Sequence, residues 1–265
     1  MSGDEFFALI MSILAGWWGW SGWSDGLFRF RQFARRFDVA AIGWTLPVLA
    51  AAIVYLVLRL WASHDVRNDP TYLVFYLLMS FGWSGAWNVV MTWFDLDFRD
   101  AVSSGNRALL ITLVGGLLSV TFIFAGGNIG EGPGWFVVVF CAGVGTATLL
   151  FIWFAENQFS PVHDAIAIDR DQATGWRTAG FFVAAGLILG RAVAGDWRSV
   201  AETLTDFVES GWPVLLPAAL LLVLNLWFRP TPARPAPNPL AFGVLPAAAL
   251  VAIGIGDLVA QGPWR

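Results

Sequence analysis

The sequence predicts an all-α membrane protein, a polytopic bundle of seven or eight transmembrane helices. Of its 265 residues, 57% are hydrophobic and only 13% are charged, whereas about a quarter of the residues in soluble domains are charged. Apolar stretches of about twenty residues, the length that crosses the hydrocarbon layer as a helix, recur along the chain. They are too long and too continuously apolar for the strands of a membrane β-barrel.

Seven stretches satisfy this length criterion, and an eighth is shorter. The seven are about 39–58, 71–94, 108–127, 135–155, 173–194, 212–228 and 240–260. The eighth, 6–20, follows two acidic residues rather than a basic region, so it does not read as a signal peptide. Whether it crosses the bilayer or lies in its surface is open from the sequence. Residues 1–38 form a Trp- and Arg-rich membrane-associated segment, and residues 39–265 form the transmembrane domain.

Arginine distribution predicts the orientation of these spans. All 15 basic residues other than histidine are arginine, and positive charge collects in cytoplasmic loops close to span ends. Four arginines lie within 29–36, and alternation of the seven firm spans places ten of the 15 on that side of the membrane. Residues 24–38 are therefore predicted to be cytoplasmic and the C-terminus periplasmic or extracellular.

The spacing of helices predicts an internal repeat. Helices at 39, 108 and 173 begin 69 and 65 residues apart and follow similar polar run-ins. We interpret them as a parallel two-helix repeat, since an even number of crossings returns the chain to its starting side. The units are 39–94, 100–155 and 169–228, followed by a final helix at 240–260. Chance similarity between glycine-rich apolar helices is the competing explanation.

One segment carries a family resemblance. The stretch AIAIDRDQATGWRTAGFFVAAGLILGRAVAGDW, residues 165–197, together with the two-helix repeat, resembles bacterial membrane proteins of the DUF350 (YjfL-like) family. The resemblance covers roughly residues 100–228. It implies a small multi-spanning protein of the bacterial cytoplasmic (inner) membrane, and it implies no reaction.

The motif content predicts that the protein is not an enzyme. The sequence contains no HExxH, P-loop or GxSxG pattern, and the absence of lysine excludes Schiff-base chemistry. Because both histidines fall in polar loops and Cys141 lies in an apolar stretch, we expect neither a metal nor another cofactor. Membrane lipids are the predicted partners, together with a second copy of the chain or other membrane subunits; no nucleic-acid partner is predicted.

Two candidate residues lie in the glycine-rich corner 126–134, GGNIGEGPG. A tight reversal explains most of this composition, and Asn128 is expected to end the preceding helix in a left-handed conformation. The reversal does not explain the carboxylate of Glu131. A cation site or a re-entrant segment is therefore the alternative interpretation.

The other candidates lie near the ends of spans. They are Arg107, Asp171 and Arg177 at the cytoplasmic entrances, and Arg191, Asp196 and Asp257 near the outer ends. For the first three we favour helix capping and interfacial anchoring, in which each arginine pairs with a nearby aspartate or reaches phosphate headgroups; an electrostatic filter is the alternative. The last three are predicted to form an ionic triad at the outer interface.

Small and amide side chains predict where helices touch. Gly115-xxx-Ser119 and Gly186-xxx-Gly190-xxx-Ala194 form narrow faces that let helix backbones approach closely. Asn88 and Asn225 are deeply embedded and are expected to hydrogen-bond between helices. Two classes of function remain: a passive permeation or transport module for a small solute or cation, and a non-transporting accessory or scaffold subunit that packs lipid or partner helices.

Overall fold

The computed structural model describes residues 2–28, 37–228 and 238–262, with backbone only for residues 37–41. The arginine-rich part of the N-terminal segment, 29–36, lies outside the described residues. The long helices are α1 Gly3–Phe28, α2 Phe37–Leu60, α4 Pro70–Trp93, α6 Arg107–Gly126, α7 Trp135–Phe159, α9 Gln172–Ala192, α11 Leu215–Phe228 and α12 Leu245–Ala260. The shorter ones are α3 His64–Asn68, α5 Phe98–Ser104, α8 Val162–Ala167 and α10 Val200–Gly211.

The helical membrane class predicted from the sequence is confirmed. Within the described residues, six helical segments are long and apolar enough to cross a membrane: Ile42–Leu60, Pro70–Trp93, Arg107–Gly126, Trp135–Phe159, Val200–Phe228 and Leu240–Ala260. They are compatible with an integral membrane protein. The predicted total of seven or eight depends on α9 and α1, which are long but less apolar, so this number stays a prediction.

Helix α9 occupies the centre of the bundle. Sixteen of its 21 residues are buried, and it packs against α6 along its length and against α12. Its sequence is rich in glycine and alanine and contains Arg177 and Arg191. Because α9 faces other helices rather than lipid, it does not need the uniformly apolar surface that lipid contact demands. This position explains why its sequence is less apolar than those of its neighbours.

The close contacts of α9 depend on residues without bulky side chains. A side-chain carbon at Gly175 would lie 2.7 Å from the carbonyl oxygen of Ala108, and one at Gly186 would lie 2.5 Å from the Cα of Ser119. Residues later in α6 contact residues later in α9, so the two helices run parallel. The Gly186 and Gly115 faces predicted from the sequence therefore do mediate helix contact. On its other side, α9 meets α12 in the same way, where Gly254 faces Ala184.

Helix α1 packs parallel to α4 through a similar seam. Gly19 contacts the backbone of Gly85, and a side-chain carbon at Gly82 would lie 2.7 Å from the Cα of Ser12. With 26 residues, α1 is about 39 Å long at 1.5 Å per residue, which exceeds the roughly 30 Å hydrocarbon layer. Residues 6–20 thus belong to a longer helix aligned with a membrane-spanning neighbour.

In all three seams the facing residues lie 64 to 70 positions apart in the sequence. Examples are Gly186–Ser119 at 67 between α6 and α9, Gly180–Ala247 at 67 between α9 and α12, and Gly19–Gly85 at 66 between α1 and α4. A two-helix repeat would produce such similar separations. The repeat itself stays a prediction.

The loops gather at two ends of the bundle. We call one end the corner face, formed by residues 61–69, 127–134 and 193–199, because Gly195 donates to the carbonyl of Ile129 at 3.0 Å. We call the other the arginine face, formed by residues 94–106, 160–171 and 238–242, where the Arg170 guanidinium donates to the carbonyl of Ser104 at 3.2 Å. The N-terminus belongs to the corner face, since the Trp135 indole donates to Asp4 at 3.1 Å.

Cysteine labelling tests whether α1 crosses the membrane. In a Cys141→Ala background we expect Ser2→Cys and Gly132→Cys to react with a membrane-impermeant maleimide on intact cells. Ser104→Cys, on the arginine face, is expected to react only after permeabilisation. If Ser2→Cys instead behaved like Ser104→Cys, α1 would not cross the membrane, because both of its ends would then lie on the same side.

Candidate functional site

The most deeply buried charge of the described chain lies on α9. Arg177 is 0% exposed, although it lies less than two turns from the start of the helix. Its Nε donates to the side-chain oxygen of Asn225 on α11 at 2.8 Å. One terminal nitrogen donates to the carbonyl of Phe242 at 2.6 Å, and the other to the hydroxyl of Thr174 at 2.8 Å. Arg177 thus joins α9, α11 and the start of the last span.

Asp171 balances the charge of this arginine. Its carboxylate lies 4.0 Å from the guanidinium of Arg177, and both side chains are buried. The same carboxylate caps α9 by accepting from the amides of Ala173 and Thr174. The predicted capping role of Asp171 is therefore confirmed. The predicted pairing of Arg177 with the aspartate is also confirmed. Its predicted contact with lipid headgroups is wrong, because a fully buried side chain cannot reach them.

The local backbone of the last span supplies the acceptor for Arg177. Residues Leu240–Val244 form a π-helical turn that leads directly into α12. In an α-helix the carbonyl of Phe242 would accept from the residue four positions later, which is Pro246. Proline has no amide hydrogen, so this carbonyl is available to the guanidinium. π-Helical turns of this kind are frequent at functional sites.

Further polar groups are buried beside this network without hydrogen-bond partners. They are an oxygen of Glu156 on α7, the hydroxyl of Thr178 and the side-chain nitrogen of Asn225. The rings of Trp153 and Phe182 meet with centroids 5.0 Å apart. Glu156 follows Trp153 by three residues and Thr178 precedes Phe182 by four, so both lie about one turn nearer the arginine face. Buried polar side chains of α7, α9 and α11 therefore lie at one level of the bundle, and we call Glu156, Thr178 and Asn225 the polar layer.

The glycine-rich corner is tied to the loop after α9. The amide of Glu131 donates to the carboxylate of Asp196 at 2.8 Å, and its carbonyl accepts from the amide of Trp197 at 2.8 Å. A side-chain carbon at Gly130, whose φ is 108°, would collide with the carbonyl of Gly195. These contacts describe a tight turn that is hydrogen-bonded to the neighbouring loop. The side chain of Glu131 itself is exposed.

Asn128 ends α6 in a different way from the one predicted. The positive φ angles among described non-glycine residues belong to Asp95 and Arg170, so the expected left-handed conformation of Asn128 is wrong. Instead, its side-chain nitrogen donates to the carbonyl of Phe124 at 2.7 Å. Its side-chain oxygen is buried without a partner beside a cavity of about 40 Å³.

The remaining candidates do not meet in one site. Asp257 accepts from Gln261 at 2.8 Å and Asp196 from Glu131, while the Nε of Arg191 is buried without a partner. In the described part of the chain, no ion pair joins Arg191 to either aspartate. Arg107 is exposed at the arginine face, so it differs from Arg177 despite their matching positions in the predicted repeat.

The expected interhelical role of the two embedded asparagines holds for one of them. Asn225 bonds across helices to Arg177, whereas the side-chain nitrogen of Asn88 is buried without a partner. Glu156 was not singled out as a site residue, because it lies close to the end of its predicted span. The sequence offered no signal of its burial, because the burial of Trp153 three residues earlier is itself visible only in the structure.

Comparison of the chain with known protein families, with curated proteins and with solved structures finds no match. Among the described residues, no group of three or more His, Cys, Asp or Glu side chains is placed to hold a metal ion. The site is therefore described by its own chemistry. It contains the buried Arg177, whose charge Asp171 neutralises, and beside it the carboxylate of Glu156, the hydroxyl of Thr178 and the amide of Asn225.

Proposed function

We propose that this protein is a permeation or transport module for a small cation or a neutral polar solute. In this proposal it resides in the bacterial cytoplasmic membrane with its arginine face toward the cytoplasm, as arginine distribution and the DUF350 resemblance suggest. The solute would contact the polar layer formed by Glu156, Thr178 and Asn225.

The observation that supports this proposal is the unpartnered burial of Glu156. An ionisable side chain inside a membrane bundle is costly and usually marks a path for an ion or substrate. Buried polar atoms in folded proteins are almost always hydrogen-bonded. Glu156 is 5% exposed and has a buried oxygen without a partner. The unpartnered oxygen of Glu156 therefore supports a transient ligand at this level of the bundle.

The charge balance of the layer favours cations over anions. Asp171 neutralises Arg177 at 4.0 Å, so that pair contributes little net charge to the surroundings. The carboxylate of Glu156 has no described ion pair. A negative group in a site of low dielectric constant attracts a positive ligand strongly.

A liposome flux assay tests this function. The full chain is reconstituted, and the uptake of K⁺, Na⁺, tetraethylammonium and chloride is measured. We expect cation flux in the wild type and a loss of about tenfold or more in Glu156→Gln, the effect of removing at least 1.4 kcal/mol of interaction. Glu131→Gln, which changes an exposed carboxylate at the corner face, is the matched control and is expected to retain flux. Equal flux in both variants, or chloride flux alone, would contradict the assignment of Glu156.

A scaffold role is the second candidate function. Only 22% of the most apolar part of Leu240–Ala260 is buried within the chain, and Leu245, Ile255 and Val259 are exposed. This surface faces lipid or the helix of another subunit, including a second copy of the chain. Absence of flux for every solute, combined with a stable complex larger than one chain after mild detergent extraction, would favour this role over transport.

A further inference from the structure

A pocket of about 290 Å³ lies at the arginine-face end of the first helices. It is bounded by the last turns of α1, the end of α4 and the beginning of α5. Its volume is at the lower end of the range for small-molecule sites. The pocket is separate from the polar layer around Arg177, which involves α7, α9 and α11.

Three tryptophans give this pocket an aromatic wall. Trp23 is 4% exposed and stacks on Phe98 with ring centroids 3.7 Å apart. Trp18 and Trp93 are 66% and 75% exposed, so the pocket opens on the outer surface of the bundle. Tryptophan is the residue that settles at the depth of lipid headgroups. The opening is therefore placed where a headgroup would approach.

The polar wall carries charges of both signs. Asp97 caps α5 by accepting from the amide of Arg99 at 2.7 Å, and its carboxylate oxygens face Gly22 of α1. The Arg99 guanidinium is exposed and forms no hydrogen bond or ion pair with the described residues. Asn88 lines the same pocket, and its side-chain nitrogen is buried without a partner. Two carboxylates, those of Asp25 and Asp97, and two donors to negative charge, those of Asn88 and Arg99, thus line one cleft.

We propose that this pocket binds the zwitterionic headgroup of a membrane phospholipid. The ammonium group lies against Asp97 and the tryptophan faces, which attract cations through their ring electrons. The phosphate accepts hydrogen bonds from Arg99 and Asn88, since guanidinium groups pair well with phosphate oxygens. The acyl chains leave past Trp18 and Trp93 into the bilayer.

Native mass spectrometry of the full chain tests this proposal. The protein is released from micelles that contain equal amounts of short-chain phosphatidylethanolamine and phosphatidylglycerol. We expect the wild type to retain phosphatidylethanolamine in preference. Asp97→Asn keeps the helix cap, because asparagine caps as well as aspartate, but it is expected to reduce the preference about tenfold by removing one charge-assisted contact. Arg99→Gln is expected to weaken retention of both lipids.

Control variants separate this site from general charge effects. Asp206→Asn and Arg198→Gln alter an exposed ion pair near the corner face and are expected to leave lipid retention unchanged. Equal retention of both lipids by the wild type, or equal effects of the control and pocket variants, would overturn the proposal. Binding of free phosphoethanolamine as tightly as the lipid would also overturn it, because the ligand would then be a soluble solute.

Discussion

Arg177→Ala is expected to lower the free energy of unfolding by about 3–5 kcal/mol, the cost of removing one partner from a buried ion pair. The substitution leaves the Asp171 carboxylate buried without its counter-charge. It also leaves the carbonyl of Phe242 without a donor, because Pro246 cannot replace the guanidinium. The side-chain oxygen of Asn225 loses its partner at the same time. Unfolding in mixed micelles of increasing SDS content, followed by circular dichroism, measures this change.

Two further variants identify the origin of the effect. Arg198→Ala removes an arginine whose side chain is 61% exposed and paired with Glu202 and Asp206, so its expected cost is below about 1 kcal/mol. Arg177→Lys keeps the charge but not the forked set of donors, and its stability should fall between wild type and Arg177→Ala. Equal stability of Arg177→Ala and Arg198→Ala would show that the buried network contributes nothing to the fold.

The sequence contained enough information to predict the helical membrane class and the sites of several helix contacts. Apolar stretches of span length produced helices at the predicted places because a helix is the structure that satisfies its own backbone in lipid. The small-residue faces at Gly115 and Gly186 do form contacts because their lack of side-chain bulk lets backbones meet. Both features are local consequences of composition and spacing.

The position of a charge within the bundle was not predictable in the same way. Arg107 and Arg177 follow similar polar run-ins and occupy matching places in the predicted repeat. In the structure one is exposed and the other is completely buried. The difference arises because α11 and the last span cover the beginning of α9. Burial of this kind depends on which helices surround a segment, and hydrophobic spacing along one segment does not specify that.

The corner shows a similar division between local and tertiary information. Its glycines correctly predicted a tight reversal, since positive φ values occur at Gly130 and Gly134. Its hydrogen bonds to the loop after α9, from the amide of Glu131 to Asp196 and from the amide of Trp197 to the carbonyl of Glu131, join residues 65 or more positions apart. Such pairs require the parallel packing of α6 and α9, which brings the ends of both helices to the same face. The alternative interpretation of Glu131 as a cation ligand is not tested by these contacts.

The seam between α6 and α9 is the contact on which that arrangement depends, and Gly186→Leu is expected to disrupt it. A side-chain carbon at Gly186 would lie 2.5 Å from the Cα of Ser119 and 2.8 Å from its carbonyl oxygen. Backbone atoms cannot rotate away as a side chain can, so the two helices must separate. Overpacking of this type costs roughly 1–3 kcal/mol and more where backbone must move; we expect a loss of at least about 2 kcal/mol in the same unfolding assay.

Gly256→Leu is the matched control for the seam, because it introduces the same side chain at a position of α12 that faces no neighbouring helix. Nothing lies within 4 Å of a side-chain carbon at Gly256, and leucine has a better helix propensity than glycine by up to about 1 kcal/mol. The control is therefore expected to be neutral or slightly stabilising. The difference in unfolding free energy between the two variants therefore separates the effect of steric contact from the effect of helix propensity. If both had the same stability, α6 and α9 would not be packed backbone to backbone, and the central position of α9 would be wrong.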